Sequence, residues 1–139
     1  MRVLFDSSAI AKRYKKEAGH SQVQQLLMTA ETVVLAAHCK VEIASSLCRE
    51  LHDSVITQAQ YGQALDEIAQ DFVDFDVRPV SPEIEALALT VMEHNRLRPM
   101  DALHIASAQA ARIDLFVTAD RRQASSAQAA GLKTQLIEA

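Results

Sequence analysis

Three short runs of apolar or small residues constrain the fold of this chain more than any other feature of its sequence. They are Val3 to Phe5, "TVVLAA" from Thr32 to Ala37, and "LFVT" from Leu115 to Thr118. Because such a run has no polar face, both sides of the strand must be covered, as in the parallel sheets of α/β proteins. Weaker strand predictions fall on Asp76–Val80 and on Lys133–Glu138, the second at an edge of the sheet.

Signals for helix ends lie between these runs. A capping box at Thr57 begins a helix that runs to about Phe72, and Ser81 caps another helix just before a proline. Gly131 is expected to end a helix that begins near Arg121. Strands that alternate with helices predict an α/β protein, here a three-layer α/β/α sandwich with a central parallel sheet.

Composition narrows the class of protein without naming a partner. With 49% of its 139 residues hydrophobic, the chain is expected to form a single domain over residues 1–139. A net charge of −4 argues against a protein that coats nucleic acid with a basic surface. Cys39 and Cys48 match no metal or disulfide spacing, so we expect both to be reduced and buried. No apolar run suits a signal peptide or a membrane span, and we expect no membrane association and a cytoplasmic location.

Four acids fall where the ends of these elements should meet. Asp6 follows the first strand, Asp120 follows "LFVT", and Glu42 and Asp101 lie early in two helices. In a parallel α/β sheet the strand carboxyl ends and the helix amino ends share one edge, where ligand crevices form. The four acids are therefore expected to converge on one crevice.

A crevice with four carboxylates needs positive charge, because the acids repel one another and burial favours their neutral forms. A divalent cation is the simplest source of that charge. Oxygen ligands, without Cys or His at metal spacing, favour Mg²⁺ or Mn²⁺ over Zn²⁺. One or two such ions can activate water and stabilise the leaving oxygen of a phosphodiester, which is nuclease chemistry.

Each acid also has an ordinary structural explanation. Asp6 and Asp120 could cap helices, and Asp101 could complement a helix dipole. Glu42 is harder to explain in this way, because apolar residues flank it on what could be a core-facing side. The coincidence of four acids at one edge favours a shared site.

Four segments of the chain resemble the acidic motifs of a known family. They are "VLFDSSAIAKRY", "KVEIASSL", "RPMDALHIASA" and "FVTADRR", in this order. Together they resemble PIN-domain nucleases, in particular the small VapC-type toxins, over essentially the whole chain. The resemblance implies an endoribonuclease whose catalytic and metal-binding acids are Asp6, Glu42, Asp101 and Asp120. It also implies Mg²⁺ or Mn²⁺ as cofactor, RNA as substrate and a VapB-type antitoxin as partner, and we expect a homodimer.

Two hydroxyl residues accompany the acids in these motifs. Ser7 and Thr118 resemble family hydroxyl residues that could hold a carboxylate, or a water at the metal, by a hydrogen bond. A helix cap and a strand-end turn are the ordinary alternatives. A glycine often seen ahead of the third acid is absent, and Asn95–Arg98 is expected to make that turn, since Asn tolerates the left-handed conformation.

Basic residues flank three of the acids although the chain is acidic overall. The candidate RNA-binding residues are Lys12, Arg13, Lys15, Lys16, Arg98, Arg121 and Arg122. Such a rim would position phosphates without reading base sequence. The alternative for "KRYKK" is a solvated helix face.

Two further features are left open by the sequence. His104 follows Asp101 by three residues and is interpreted as structural, because imidazole is a poor partner for Mg²⁺, and His38 fits no pattern. Apolar stripes on two successive helices could be core, dimer interface or antitoxin groove. Their members are Ile43, Leu47 and Leu51 on the first helix and Leu65, Ile68 and Phe72 on the second.

The sequence therefore favours a metal-dependent endoribonuclease that serves as the toxin of a VapBC-type pair. A housekeeping PIN nuclease in RNA processing is the alternative within the same enzyme class. A catalytically silent module that binds RNA or protein is the alternative from another class.

Overall fold

A computed structural model describes residues 1–138 and contains a five-stranded parallel sheet. The strands are β1 (Arg2–Phe5), β2 (Thr32–Ala36), β3 (Asp76–Arg78), β4 (Leu115–Thr118) and β5 (Thr134–Leu136). Their order across the sheet is β3-β2-β1-β4-β5, so that β5 is an edge strand as predicted. The strand β3 ends two residues earlier than predicted, because Pro79 has no N–H to continue the ladder.

Seven helices and one short 3₁₀ turn at Ala11–Arg13 connect the strands within residues 1–138. The helices are α1 (Ser7–Ile10), α2 (His20–Thr29), α3 (Cys39–His52), α4 (Gln58–Asp71), α5 (Pro82–His94), α6 (Pro99–Ala111) and α7 (Arg121–Ala129). The predicted end signals are present: Thr57 forms a capping box with Gln60, Ser81 caps α5, and Gly131 follows α7 with φ of 89°. Local hydrogen bonding thus fixes where these helices begin and end.

The helices cover both faces of the sheet and give the predicted α/β/α sandwich. Val3 and Phe5 of β1 pack against one group of helices, which includes α2, α3 and α4. Leu4, between them, points to the other side and packs with Phe116 against α5, α6 and α7. All four side chains are completely buried, and each contributes about 1.5–3 kcal/mol to folding. An uninterrupted apolar strand is therefore what this two-sided core requires.

The apolar stripes of α3 and α4 lie mainly in the core. Ile43, Leu47 and Ile68 have exposed fractions of 1%, 2% and 1% and belong to one cluster beneath the sheet. Leu65 and Phe72 are partly buried and pack against this cluster. Ile43 and Ile68 are therefore core residues, whereas Leu47 also lines a separate cleft between α3 and α4.

One turn and one cysteine differ from what the sequence suggested. Asn95 is extended, with φ of −140° and ψ of 140°, and not left-handed. Both its backbone N–H and its side-chain amide donate to the Val91 carbonyl oxygen, which ends α5 without a left-handed residue. Cys39 is free and buried as expected, but Cys48 is free and only half-buried, with Sγ 3.3 Å from the Tyr61 hydroxyl.

Across residues 1–138, no helix combines the length and apolar character that a membrane span requires.

Candidate active site

All four predicted acids line one open cleft of about 430 Å³ at the carboxyl edge of the sheet. Asp6 directly follows β1, and Asp120 follows β4 at the start of α7. Glu42 and Asp101 lie in the first turns of α3 and α6. Because β1 lies between β2 and β4, the segments that leave these three strands open onto a common crevice.

Asp6 is the most buried of these acids, with an exposed fraction of 4%. Ser8 Oγ donates to one carboxylate oxygen at 2.6 Å, and Thr118 Oγ1 donates to the other at 2.5 Å. The Ala9 N–H adds a third hydrogen bond at 3.1 Å, so Asp6 also caps α1. Burial raises the pKa of Asp6 despite the opposing effects of His104 and of these hydrogen bonds. The ionised form of Asp6 would therefore be stabilised by a nearby cation.

Glu42 is held through its Oε1 atom. Ser7 Oγ donates to this oxygen at 2.6 Å, His104 Nε2 lies 2.7 Å from it, and His38 Nε2 lies 3.3 Å from it. Burial alone would raise the pKa of Glu42, but the hydrogen bonds and the charge of the imidazoles lower it to about 2. Glu42 is thus a carboxylate throughout the neutral range.

Asp101 and Asp120 form the more open side of the cleft. Arg98 Nε donates to Asp101 at 3.2 Å, and the exposed fractions of these side chains are 82% for Arg98 and 25% for Asp101. Asp120 accepts hydrogen bonds from the N–H groups of Arg122 and Gln123 at 2.8 and 3.2 Å and caps α7. Asp6 and Asp120 therefore cap helices and also line the shared cleft.

Hydroxyl groups connect the acids to one another. Thr118 Oγ1 donates to Asp6 and accepts from the Asp120 N–H at 3.0 Å, so one side chain connects two acids. Ser8, which was not among the predicted site residues, donates to Asp6 and accepts from the Ala119 N–H at 2.9 Å. The sequence signal that could have identified Ser8 is its position beside Ser7 in the first acidic motif.

Histidines contribute to the cleft more than the sequence suggested. His104 is 2% exposed and lies against Glu42, so it belongs to the cleft lining and not only to the α6 core. The His38 ring, which fitted no sequence pattern, lies beside it with centroids 4.3 Å apart. His38 precedes Glu42 by four residues at the start of α3, and this spacing was the signal that could have found it.

Several of the predicted RNA-binding residues already have partners within the fold, among them Lys15, whose Nζ lies 3.0 Å from Glu50 Oε1. Arg13 donates from Nε and Nη2 to Asp71 at 2.5 and 3.0 Å, and the Tyr14 hydroxyl donates to the same carboxylate at 2.7 Å. Lys12 Nζ donates to the Ala18 carbonyl oxygen at 2.8 Å. Arg13 and Lys12 therefore have structural partners, and their contact with RNA phosphates stays a prediction.

The other basic residues divide by location. Lys15 and Arg98 line the acidic cleft, together with Arg49, which was not among the predicted RNA-binding residues. Arg121 and Arg122 are exposed at the start of α7, whereas Lys16 lines a separate cleft. Arg49 follows Glu42 by seven residues on α3, so the two share a helix face.

The fold and the acidic cleft belong to one protein family. The model of the PIN domain family matches residues 3–128, which is most of the chain. The chain belongs to the PIN domain family. No functionally curated protein sequence gives a match.

Solved structures with the same fold include toxins and toxin–antitoxin complexes. FitAcB from Neisseria gonorrhoeae has 15% identity and a TM-score of 0.73, with 95% of each chain covered. VapC20 from Mycobacterium tuberculosis, a sarcin-ricin loop cleaving toxin, has 18% identity and a TM-score of 0.70, with 94% of this chain and 95% of that chain covered. VapBC2 from Rickettsia felis, bound to a DNA fragment from their promoter, has 12% identity and a TM-score of 0.72, with 98% of each chain covered. At these identities the likeness concerns the fold.

Proposed function

We propose that the protein is a metal-dependent endoribonuclease and the toxin of a VapBC-type toxin–antitoxin pair. The observation that carries the proposal is the meeting of Asp6, Glu42, Asp101 and Asp120 in one cleft of a PIN-domain chain. The similarity to VapC20, VapBC2 and FitAcB supports the toxin assignment. On the same grounds we propose one domain over residues 1–139, a VapB-type antitoxin partner, a homodimer and a cytoplasmic location.

The donor set of the cleft fits a hard divalent cation. Four carboxylates face one open space, and the buried Asp6 lies among uncharged hydroxyl and N–H donors. Such oxygen donors suit Mg²⁺ or Mn²⁺. Asp6, Glu42, Asp101 and Asp120 would hold the ion, which when bound supplies activation of water and stabilisation of charge on a phosphodiester.

The side chains around the acids prepare them for this role. Ser8 and Thr118 fix both oxygens of Asp6, while Ser7 and His104 fix Glu42. With a pKa of about 2, Glu42 is suited to hold a cation and is a poor proton acceptor. These hydrogen bonds support the proposal, because neighbouring donors commonly orient the carboxylates that hold a metal.

Cations at the mouth of the cleft are suited to the substrate backbone. Lys15, Arg49 and Arg98 line the same space as the acids. Guanidinium and ammonium groups bind phosphate oxygens and fix the register of a strand without reading its bases. We therefore propose that single-stranded RNA crosses the cleft between α3 and the start of α6.

The experiment that tests the proposal combines cleavage with growth. The purified protein should cleave RNA in the presence of Mg²⁺ or Mn²⁺, and EDTA should abolish the cleavage. The Asp101→Asn variant should be inactive. Expression of the wild type, but not of Asp101→Asn, should arrest growth, and the adjacent small open reading frame should relieve the arrest. Cleavage without growth arrest would instead favour a housekeeping RNA-processing nuclease. RNA binding without any cleavage would favour a silent module.

A further inference from the structure

We propose that His38, Glu42 and His104 form a second metal site, distinct in chemistry from the four-acid cleft, that takes a transition-metal ion of the Zn²⁺ class. The site shares one residue, Glu42, with the acidic cleft. Binding at the site does not depend on the proposed nuclease function. Its effect on cleavage rests on that function.

The geometry of the three side chains supports this site. One donor atom from each residue lies within 4.8 Å of the other two. Glu42 Oε1 is 2.7 Å from His104 Nε2 and 3.3 Å from His38 Nε2. Tetrahedral zinc ligands at about 2.0–2.1 Å from the ion lie about 3.3 Å from one another, so only small side-chain movements are needed.

The donor chemistry selects the class of metal. Two imidazoles and one glutamate form the His₂Glu set that open zinc sites use, whereas Mg²⁺ prefers oxygen ligands alone. Glu42 and His104 also line the cleft, so a fourth position is open to water. His38 Nε2 lies 2.9 Å from the Met100 carbonyl oxygen and must give up that contact to bind metal.

The shared residue gives the site a regulatory consequence. A zinc ion held by both histidines would occupy Glu42 Oε1, the oxygen that Ser7 also orients in the acidic cleft. The acidic cleft would then lose one of its four carboxylates. Zn²⁺ is therefore expected to inhibit cleavage that depends on Mg²⁺.

Zinc binding to the full metal-free chain tests the site directly. In competition with a chromophoric zinc chelator, the wild type should bind one Zn²⁺, and His38→Ala should weaken the binding at least about tenfold. His52→Ala on the same helix is the matched control and should bind like the wild type. Asp101→Asn should also keep its zinc affinity, because Asp101 lies outside the triad. Equal affinity in His38→Ala and the wild type overturns the proposal, as does a loss in Asp101→Asn as large as that in His38→Ala.

A second readout keeps the test independent of folding defects. With Co²⁺ in place of Zn²⁺, the wild type should show the visible absorption of a four-coordinate site with nitrogen ligands. His38→Gln, which retains a polar side chain, should lose this absorption while its circular dichroism matches the wild type. A cobalt spectrum that is unchanged in a folded His38→Gln protein overturns the site.

Cleavage assays separate this inference from the proposed function. With Mg²⁺ present, the zinc concentration that halves cleavage should rise at least about tenfold in His38→Ala, each variant being compared with its own rate without zinc. An unchanged inhibitory concentration overturns the regulatory consequence. If neither protein cleaves RNA, the proposed function fails, and the zinc-binding and cobalt measurements still decide the site.

Discussion

Asp6 is buried and Asp71 is partly buried, and the two carboxylates have opposite pKa shifts because their hydrogen-bond partners differ. Asp71 receives a bidentate contact from Arg13 and a hydrogen bond from Tyr14. Burial opposes its ionisation, but the hydrogen bonds and charge of Arg13 hold the pKa of Asp71 below its ordinary value. Asp6 receives only uncharged donors, from Ser8, Thr118 and Ala9, and burial raises its pKa. The chain completes the charge balance of Asp71, whereas the proposed cation would complete that of Asp6.

Among the substitutions that test this difference between the two acids, the largest expected effect is on catalysis. Asp6→Asn should lower RNA cleavage by about 10³-fold or more, because loss of a metal ligand removes several kcal/mol of charge stabilisation. Without metal, the free energy of unfolding should stay the same or rise, since repulsion among the acids falls. Steady-state cleavage and chemical denaturation in EDTA measure both quantities. Full activity of Asp6→Asn would remove Asp6 from the site.

Asp71→Asn should give the reverse pattern. The free energy of unfolding should fall by about 1–2 kcal/mol, because Arg13 loses its charged partner and both groups are only partly exposed. Cleavage per folded molecule should be unchanged, since Asp71 lies outside the acidic cleft. Urea denaturation and an activity assay on the same preparation provide the comparison. A greater loss of stability in Asp6→Asn than in Asp71→Asn would contradict the assignment of roles.

The pH dependence of stability should separate the two acids further. Without metal, the raised pKa of Asp6 favours the folded state below the ordinary value of 3.8, and this contribution disappears as pH rises through the raised value. The lowered pKa of Asp71 favours the folded state above 3.8 and is lost as pH falls through the lowered value. Asp6→Asn should therefore gain stability relative to the wild type as pH rises. Asp71→Asn should approach the wild type in acid, and denaturation curves across this range provide the measurement.

The smallest expected effect concerns the basic side chains. As with the acids, one is paired within the fold while others line the cleft. Arg13 is held by Asp71, whereas Arg49 and Arg98 line the cleft and are exposed. Replacing both arginines of the cleft with Ala should reduce the salt slope of single-stranded RNA binding by about 1.4, or about 0.7 for each phosphate contact. Fluorescence anisotropy in EDTA at several salt concentrations measures this slope. Lys133 precedes β5 at the opposite end of the strands. Lys133→Ala is therefore the control and should leave the salt slope unchanged.

Sequence patterns predicted the features of this molecule that depend on neighbours along the chain. The apolar run of β1, the cap at Thr57 and the placement of Asp6 after a strand all follow from local periodicity and strand direction. The partner of Arg13 lies 58 residues away on α4, and only tertiary packing brings the two together. The same holds for His104, which reaches Glu42 across 62 residues from α6. Local patterns place a side chain at an edge of the sheet, but they do not determine which distant side chain it meets.

The central position of β1 has a consequence for hydrogen exchange. This strand is paired on both sides, with β2 and β4, and the Asp6 N–H extends the ladder to the Val117 carbonyl oxygen at 3.0 Å. Amides of a central strand commonly exchange only when the whole domain opens, so we expect the Asp6 amide to be among the slowest to exchange. Asp101 instead follows an extended segment at Asn95–Arg98, whose amides lie outside the sheet. Hydrogen exchange should therefore be slower at the Asp6 amide than at the amides of Asn95–Arg98, on the opposite side of the cleft.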